Sequence, residues 1–391
     1  MILDKVQLYF DLYYAFICAK KHKSKKQYVV DFENNLKKNL LDLTDELFER
    51  KYKPQPSVCF IVEEPKKREI FAANFRDRIV HHLYYNYTYE LFNNTFIEDS
   101  YSCRKGKGTH YGIHRLENHI RQETENYTKE AYVLKMDIKG YFIHINRLIL
   151  LKIVNNCLDK MKGHYPKKEN TTWEEKLDYD FVKYLGEVII LNDPTKNCII
   201  KGTKKDWIGL PDSKTLFKTP KNCGLPIGNL TSQLFSNVYL NVFDQFMKRD
   251  LKCKHYGRYV DDFYVVSKDK NFLKEIVKEI TVFMKEKLNL DIQEKKTHVI
   301  NVKQGIDFLG AFIKPYRTYL SNKSIRRIRR GLYDFQHHKP KKNVVNMVNS
   351  YLGLFSHWKS NNIKIELFSK IGKLNNYGHF KDNGYRKFVE N

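Results

Sequence analysis

Several things are missing from this sequence of 391 residues. No apolar run approaches the roughly 18 residues of a membrane-spanning helix, and Met1-Ile-Leu-Asp-Lys5 lacks the pattern of a secretory leader. A soluble, unexported, cytoplasmic chain is expected. The seven cysteines, at 18, 59, 103, 157, 198, 223 and 253, include no C-x-x-C pair, which argues against a structural zinc site or a disulfide framework. His110 and His114 are spaced i, i+4 without the glutamate and third ligand of a zinc helix, so they read as surface or phosphate-facing residues. Arg104-Lys-Gly-Lys-Gly-Thr109 is a basic loop that is neither a Walker A sequence nor a dinucleotide fingerprint. No internal repeat is present. Acidic residues are in deficit, 45 against 70 Lys and Arg, which leaves a formal charge of +25.

That excess is the electrostatic footprint of a protein that neutralises phosphates. Aromatic residues make up 14% of the chain, mostly Tyr and Phe among lysines, and favour nucleic acid over an anionic membrane because rings stack on bases. With 42% apolar residues the chain can bury a substantial core.

Periodicity places the elements. Phe32, Leu36, Leu40, Leu43 and Leu47 form a helical stripe within residues 1–50. Ser57–Val62 and Arg68–Phe71 read as strands about the basic turn Pro65-Lys66-Lys67, and Arg76–Phe92 as a helix. Ala131–Ile138 is an apolar strand with Asp137 near its end, and the polar stretch 192–223 reads as an insertion or loop. Asn229 or Thr231 can cap a helix presenting Leu234, Val238, Val242 and Phe246 on one face. A helix over 272–288, a strand at 298–300 and another at 307–313 follow. Beyond Pro315 the pattern becomes helical, with Lys323, Arg326, Arg327, Arg329 and Arg330 opposite Ile325, Ile328, Leu332 and Phe335.

The chemistry concentrates at Tyr259-Val-Asp-Asp262, between His255–Arg258 and Phe263–Val266. Apolar flanks suit two buried strands, which puts the adjacent aspartates at a hairpin tip. Two carboxylates there repel unless a positive charge lies between them. A pair of divalent cations about 3.5–4 Å apart resolves this while clamping the oxygens of an in-line phosphoryl transfer. Asp137 supplies a third hard oxygen ligand of the sort Mg²⁺ prefers. The expected trio is Asp137, Asp261 and Asp262, which requires residue 137 close to the 261–262 tip and no lysine or arginine plugging the space among them.

In order along the chain, Lys66-Lys67-Arg68, Ser100-Tyr-Ser-Cys-Arg104, the Asp137 strand, Gly224–Gln233, Tyr259–Asp262, Leu288–Thr297 and Phe308-Leu309-Gly310 resemble the reverse transcriptases. The resemblance implies an α+β right-hand polymerase. Residues 1–55 would be an N-terminal helical extension, 56–130 the fingers with part of 147–223 inserted, 131–146 and 224–315 the palm with its antiparallel sheet, and 316–391 a helical thumb. It implies two Mg²⁺ ions, with Mn²⁺ a substitute, at Asp137, Ile138, Asp261 and Asp262. It puts Lys66, Arg68, Phe142, Ile227, Gly228, Gln233 and Lys296 at the dNTP, where Phe142 is the aromatic gate against a ribose 2′-hydroxyl and Arg68 grips the triphosphate. Primer and template fall to Arg104, Tyr259, Phe308, Leu309, Gly310, Arg326 and Arg330.

Within Gly224-Leu-Pro-Ile-Gly-Asn-Leu-Thr-Ser-Gln233, Ile227 and Gln233 stand where the common pattern has Gln and Pro. This variant, Trp207–Phe217 and Asn349–Leu354 resemble the enzymes of diversity-generating retroelements, which copy a template-repeat RNA into adenine-mutated cDNA. Partners implied are that RNA, the RNA/cDNA duplex, dNTPs and a small helical accessory protein, the accessory variability determinant. An amide near the templating base could hold it by hydrogen bonds and Ile227 cannot, so base selection would loosen. The alternatives are a phage-defence or other bacterial reverse transcriptase, an RNA-dependent RNA polymerase, and a non-catalytic RNA-binding scaffold.

Overall fold

The computed structural model describes residues 3–63, 66–166, 170–338, 343–358, 360–382 and 384–391. Its longer strands are β1 Ser57–Val62, β2 Arg68–Ala72, β3 Tyr132–Asp137, β4 Cys198–Ile200, β5 His255–Tyr259, β6 Asp262–Ser267, β7 His298–Asn301, β8 Ile306–Phe308, β9 Ala311–Lys314 and β10 Arg317–Leu320. They form sheets in the orders β2-β1-β4, β5-β6-β3-β7 and β10-β9-β8. Helices lie before, between and after them, giving the expected α+β class.

The chain divides into two compact units. The first comprises residues 1–108, 136–263 and 275–297, the second 109–135, 264–274 and 298–391.

In the first unit, the helices Lys5–Lys20, Gln27–Asn34 and Leu36–Phe48 pack with the helix Phe75–Thr95. Leu40, Leu43 and Leu47 of the predicted stripe are fully buried, while Phe32 stacks on Phe16 and meets Phe75 edge-on. Asp4 caps the first helix by accepting from the amides of Val6 and Gln7. β1 and β2 pair antiparallel, Cys59 opposite Phe71, and β4 adds parallel to β1. Pro65 of the basic turn lies outside the described residues. The stretch 192–223 holds β4 and three short 3₁₀ turns. The helix Leu230–Gln245 runs through the unit's core with Leu234, Phe235, Val238, Tyr239, Leu240 and Phe243 buried. Val242 departs from the expected face and is 37% exposed. Asn229 precedes this helix without capping it, because its Oδ1 accepts from the Ala73 amide instead.

In the second unit β3 pairs with β7, Tyr132 opposite Asn301 and Lys135 opposite His298. The single strand expected over 307–313 is two, β8 and β9, separated by a turn at Leu309 and Gly310 with φ of 49° and 88°. β10 replaces the start of the helical run expected after Pro315; Tyr316 at φ 64° turns the chain back along β9. The helix Asn322–His337 follows, capped by Ser321, with Ile325, Ile328, Leu332 and Phe335 buried and its arginines exposed. It shares a core with Val348, Leu352, Phe355, Phe368 and Phe388. Asn349 is structural here: its amide donates to the Phe388 carbonyl and accepts from the Phe388 amide. His110 is half-buried, its ring 3.7 Å from that of His357 and beside Trp358.

Among the described residues no helix is long and apolar enough to cross a membrane.

Candidate active site

The aspartate turn is tight because β5 ends at Tyr259 and β6 already begins at Asp262. Val260 and Asp261 form the turn, and Asp262 opens a strand, not the tip. Val260 adopts φ 56°. That region suits glycine in hairpin turns and is a genuine outlier for a β-branched side chain.

Backbone hydrogen bonds bring the end of β3 to this turn. The amide of Ile138 donates to the Asp261 carbonyl at 3.2 Å, and that of Gln293 to the Asp137 carbonyl at 2.8 Å. Ile138 also bridges Ile292, so the 288–297 segment runs beside Asp137. The Asp261 carboxyl is pushed above its ordinary range by burial, then by the negative charge of Asp137, with Lys296 and Arg68 opposing.

Lys296 Nζ stands 2.8 Å from Asp137 Oδ2. The expectation of a site clear of basic side chains is therefore corrected, because one ammonium stands against one of its carboxylates. The lysine side chain is 58% exposed, so it reaches Asp137 from solvent, and an exposed pair of this kind holds weakly.

Among the described residues, no group of three or more His, Cys, Asp and Glu is placed to hold a metal ion. The two carboxylates that act on one another electrostatically are Asp137 and Asp261, with Asp262 next in the chain at the start of β6. The pair suits a hard divalent cation in donor chemistry, since two neighbouring carboxylates accept positive charge between them.

One wall is built beside the pair. The Phe71 amide donates to the Ile227 carbonyl at 2.9 Å, and Leu225 donates to the Phe142 carbonyl at 2.8 Å. The segment 224–228 thereby ties β2, which carries Arg68, to the short helix Tyr141–His144, which carries half-buried Phe142. Gly228, at φ 127°, has no room for a side chain: a Cβ would lie 3.0 Å from Ile70 Cγ2 and 3.1 Å from the Phe71 oxygen. Gln233 is exposed on the following helix. Lys66 and Arg68 are exposed, while Lys67 donates to the Ile208 carbonyl.

Buried Glu69, next to Arg68, explains Trp207–Phe217. Its Oε1 accepts from Trp207 Nε1 and Thr215 Oγ1 and its Oε2 from the Leu216 amide, each at 2.7 Å.

Other expected contacts fall elsewhere. Arg104 is engaged inside the unit, donating to Asn93 Oδ1 and to the carbonyls of Ile97 and Ser100, so any nucleic-acid contact must compete with three bonds. Tyr259 is half-buried, with its hydroxyl bonded to Ser102. In the second unit the Phe308 ring is 1% exposed and meets Tyr264 edge-on; it is a core residue, and the turn Leu309-Gly310 beside it is what reaches the surface. Arg326 and Arg330 are exposed. Sequence reasoning missed Arg258, Asp244 and Glu69, all buried here, for which the sequence carries no signal.

Residues 190–313 match the family described as reverse transcriptase (RNA-dependent DNA polymerase). The matched segment is similar to the reverse transcriptase domain of RNA-directed DNA polymerases and lies within the α+β architecture expected. The match contains Asp261, Asp262 and Lys296; Arg68 and Asp137 lie outside it and join the site through the fold. Among particular proteins, the chain is 24% identical over 306 residues to Protein YkfC of Escherichia coli (strain K12), covering 68% of this chain and 69% of that protein. Solved structures similar to it include apo telomerase from Candida tropicalis truncated from its C-terminal domain, at TM-score 0.49 and 14% identity over 68% of this chain and 55% of that one. Telomerase from Candida albicans in complex with a fragment of telomeric RNA is similar at TM-score 0.48 and 12% identity, over 82% and 58%. The chain spans a little over half the length of these telomerases.

Proposed function

We propose that this chain is the reverse transcriptase of a diversity-generating retroelement, making adenine-mutagenic cDNA from a template-repeat RNA. The observation that carries the polymerase reading is the Asp137–Asp261 pair, joined through the Ile138 amide, with Asp261 inside the segment similar to reverse transcriptases and Asp137 brought to it by the fold. Asp137 and Asp261, with Asp262 and Ile138 adjoining, would hold Mg²⁺ or Mn²⁺. When bound, such ions supply charge stabilisation for a primer 3′-hydroxyl attacking the α-phosphate and for the departing pyrophosphate.

The chain's own groups do the positioning. Arg68 binds triphosphate oxygens through its planar fork. Phe142 fills the volume a 2′-hydroxyl would need. Lys296, whose ammonium rests at Asp137, would swing that ammonium to the departing pyrophosphate and stabilise its negative charge there. The basic face of Asn322–His337 tracks the backbone of the RNA/cDNA duplex. In this reading the fingers, palm and thumb follow the boundaries expected from the sequence, and an accessory protein docks through local acidic patches or shared RNA, since a +25 chain repels another cation.

The retroelement reading rests on Ile227 and Gln233, on Trp207–Phe217 and on Asn349–Leu354. Its test is twofold: cDNA made on an adenine-rich RNA is sequenced, and the gene's surroundings are searched for a near-duplicate repeat pair differing at adenines. Accurate copying of adenines and no such repeat would move the assignment to a phage-defence enzyme.

A further inference from the structure

Arg258 is 1% exposed, and Asp244, its partner, is fully buried. A buried ion pair of this kind is a poor stabiliser, because desolvation of both charges offsets their attraction and apolar residues of equal volume would pack as well. The geometry of the pair indicates another use. All five guanidinium N–H groups are directed at acceptors. Nε donates to Asp244 Oδ1 at 2.7 Å, and one terminal nitrogen donates to Asp244 Oδ2 at 2.6 Å and Ser100 Oγ at 3.2 Å. The other terminal nitrogen donates to the Val260 carbonyl at 3.0 Å and faces Asn237 Oδ1 at 3.5 Å. Tyr256 donates its hydroxyl to Asp244 Oδ1 at 2.6 Å. The backbone of Arg258 is fixed as well, its amide donating to Asp99 and its carbonyl accepting from Tyr101.

The Val260 carbonyl belongs to the peptide plane that joins Val260 to Asp261. Holding it sets ψ of Val260 and φ of Asp261, and so the direction in which the Asp261 carboxylate leaves the turn. Val260 needs such a hold, since φ 56° is a strained conformation for a β-branched residue. On its other side Asp261 is gripped through its own carbonyl by the Ile138 amide. Asp261 thus has an anchored peptide on each side, one reaching Asp137's strand and the other a buried cation.

We propose that Arg258 is a positioning residue for the reaction: through the Val260 carbonyl it holds the strained aspartate turn in the one conformation that presents Asp261 to the chemistry. Asp244 orients the guanidinium, and Asn237, Ser100 and Tyr256 complete its setting. This inference rests on the polymerase reading.

The test is steady-state primer extension by the full chain carrying Arg258→Met, Asp244→Leu and Tyr256→Phe together, which leaves no lone buried charge at this site. The expected result is a melting temperature and primer–template affinity close to wild type, with kcat lowered at least about tenfold and KM for dNTP changed far less, since small misplacements of a reacting group carry large rate losses. Wild-type kcat in the folded triple variant overturns the inference. Should the triple variant not fold, Arg258→Lys decides: one ammonium cannot fork across Asp244 and Val260, so kcat falls with affinity retained, and undiminished kcat overturns the inference. A wild-type protein that extends no primer overturns the polymerase reading, and this inference with it.

Discussion

Lys296 places its ammonium 2.8 Å from the Asp137 carboxylate, where it neutralises one member of the Asp137–Asp261 pair. The lysine side chain is 58% exposed and the aspartate 19%, so the contact contributes well under about 1 kcal/mol to stability. Lys296→Ala should leave the melting temperature unchanged and lower kcat roughly 10- to 100-fold if the ammonium serves the leaving pyrophosphate. Single-turnover extension against a thermal melt separates the two effects.

Glu69 should behave in the opposite way. Its carboxylate is 3% exposed and accepts three hydrogen bonds from Trp207, Thr215 and Leu216. Glu69→Ala strands three donors and should destabilise the fold by roughly 3 kcal/mol, read by denaturant unfolding. Because Arg68 is its neighbour, KM for dNTP should rise in the protein that remains folded.

Ile227 lies against β2, its carbonyl held by the Phe71 amide. The backbone fixes this position whatever the side chain, so Ile227→Gln should fold normally. On the retroelement reading it should reduce misincorporation at template adenines severalfold, measured by sequencing cDNA from one RNA copied by both proteins. An unchanged adenine error rate would remove Ile227 from the explanation.

The pH dependence of stability has a definite sign at His81. Burial pushes its imidazole down to about 4, helped by His82 and Arg78, and its Nδ1 lies 2.6 Å from Thr231 Oγ1. The unfolded chain's imidazole takes up its proton near pH 6.5, before the folded one does. Stability from this site is therefore present above about 6.5 and is lost as pH falls towards 4, by an amount on the order of 3 kcal/mol. Asp77 runs the other way: burial raises its carboxyl to about 6, so its contribution is present at low pH and lost as pH rises through 6. His81→Asn isolates the imidazole, and denaturant midpoints of variant and wild type should converge as pH falls from 6.5 to 4.

Much of the fold was legible because its signals are local. The stripe ending in Leu40, Leu43 and Leu47 and the two faces of Asn322–His337 follow from periodicity, and the structure buries the residues expected. β10 was not legible: Arg317–Leu320 is too short to alternate clearly, and Pro315-Tyr316 reads as a break when it is a hairpin turn. The proximity of Asp137 and Asp261 was foreseeable from the chemistry, whereas the separation of Asp262 into β6 depends on a turn one residue earlier than apolar flanks suggest. Glu69 and Arg258 were invisible for a different reason. Their partners are distant in sequence or belong to the backbone, and a single charged residue in a strand carries no sign of which side chain will bury it.

The central claim is that Asp261 works with Asp137 in RNA-templated DNA synthesis. Primer extension on an RNA template with dNTPs, wild type beside Asp261→Asn, tests it most directly. The account predicts extension by the wild type and a loss of at least about a thousandfold in the variant. Equal extension by both proteins, or extension with rNTPs alone, would contradict it.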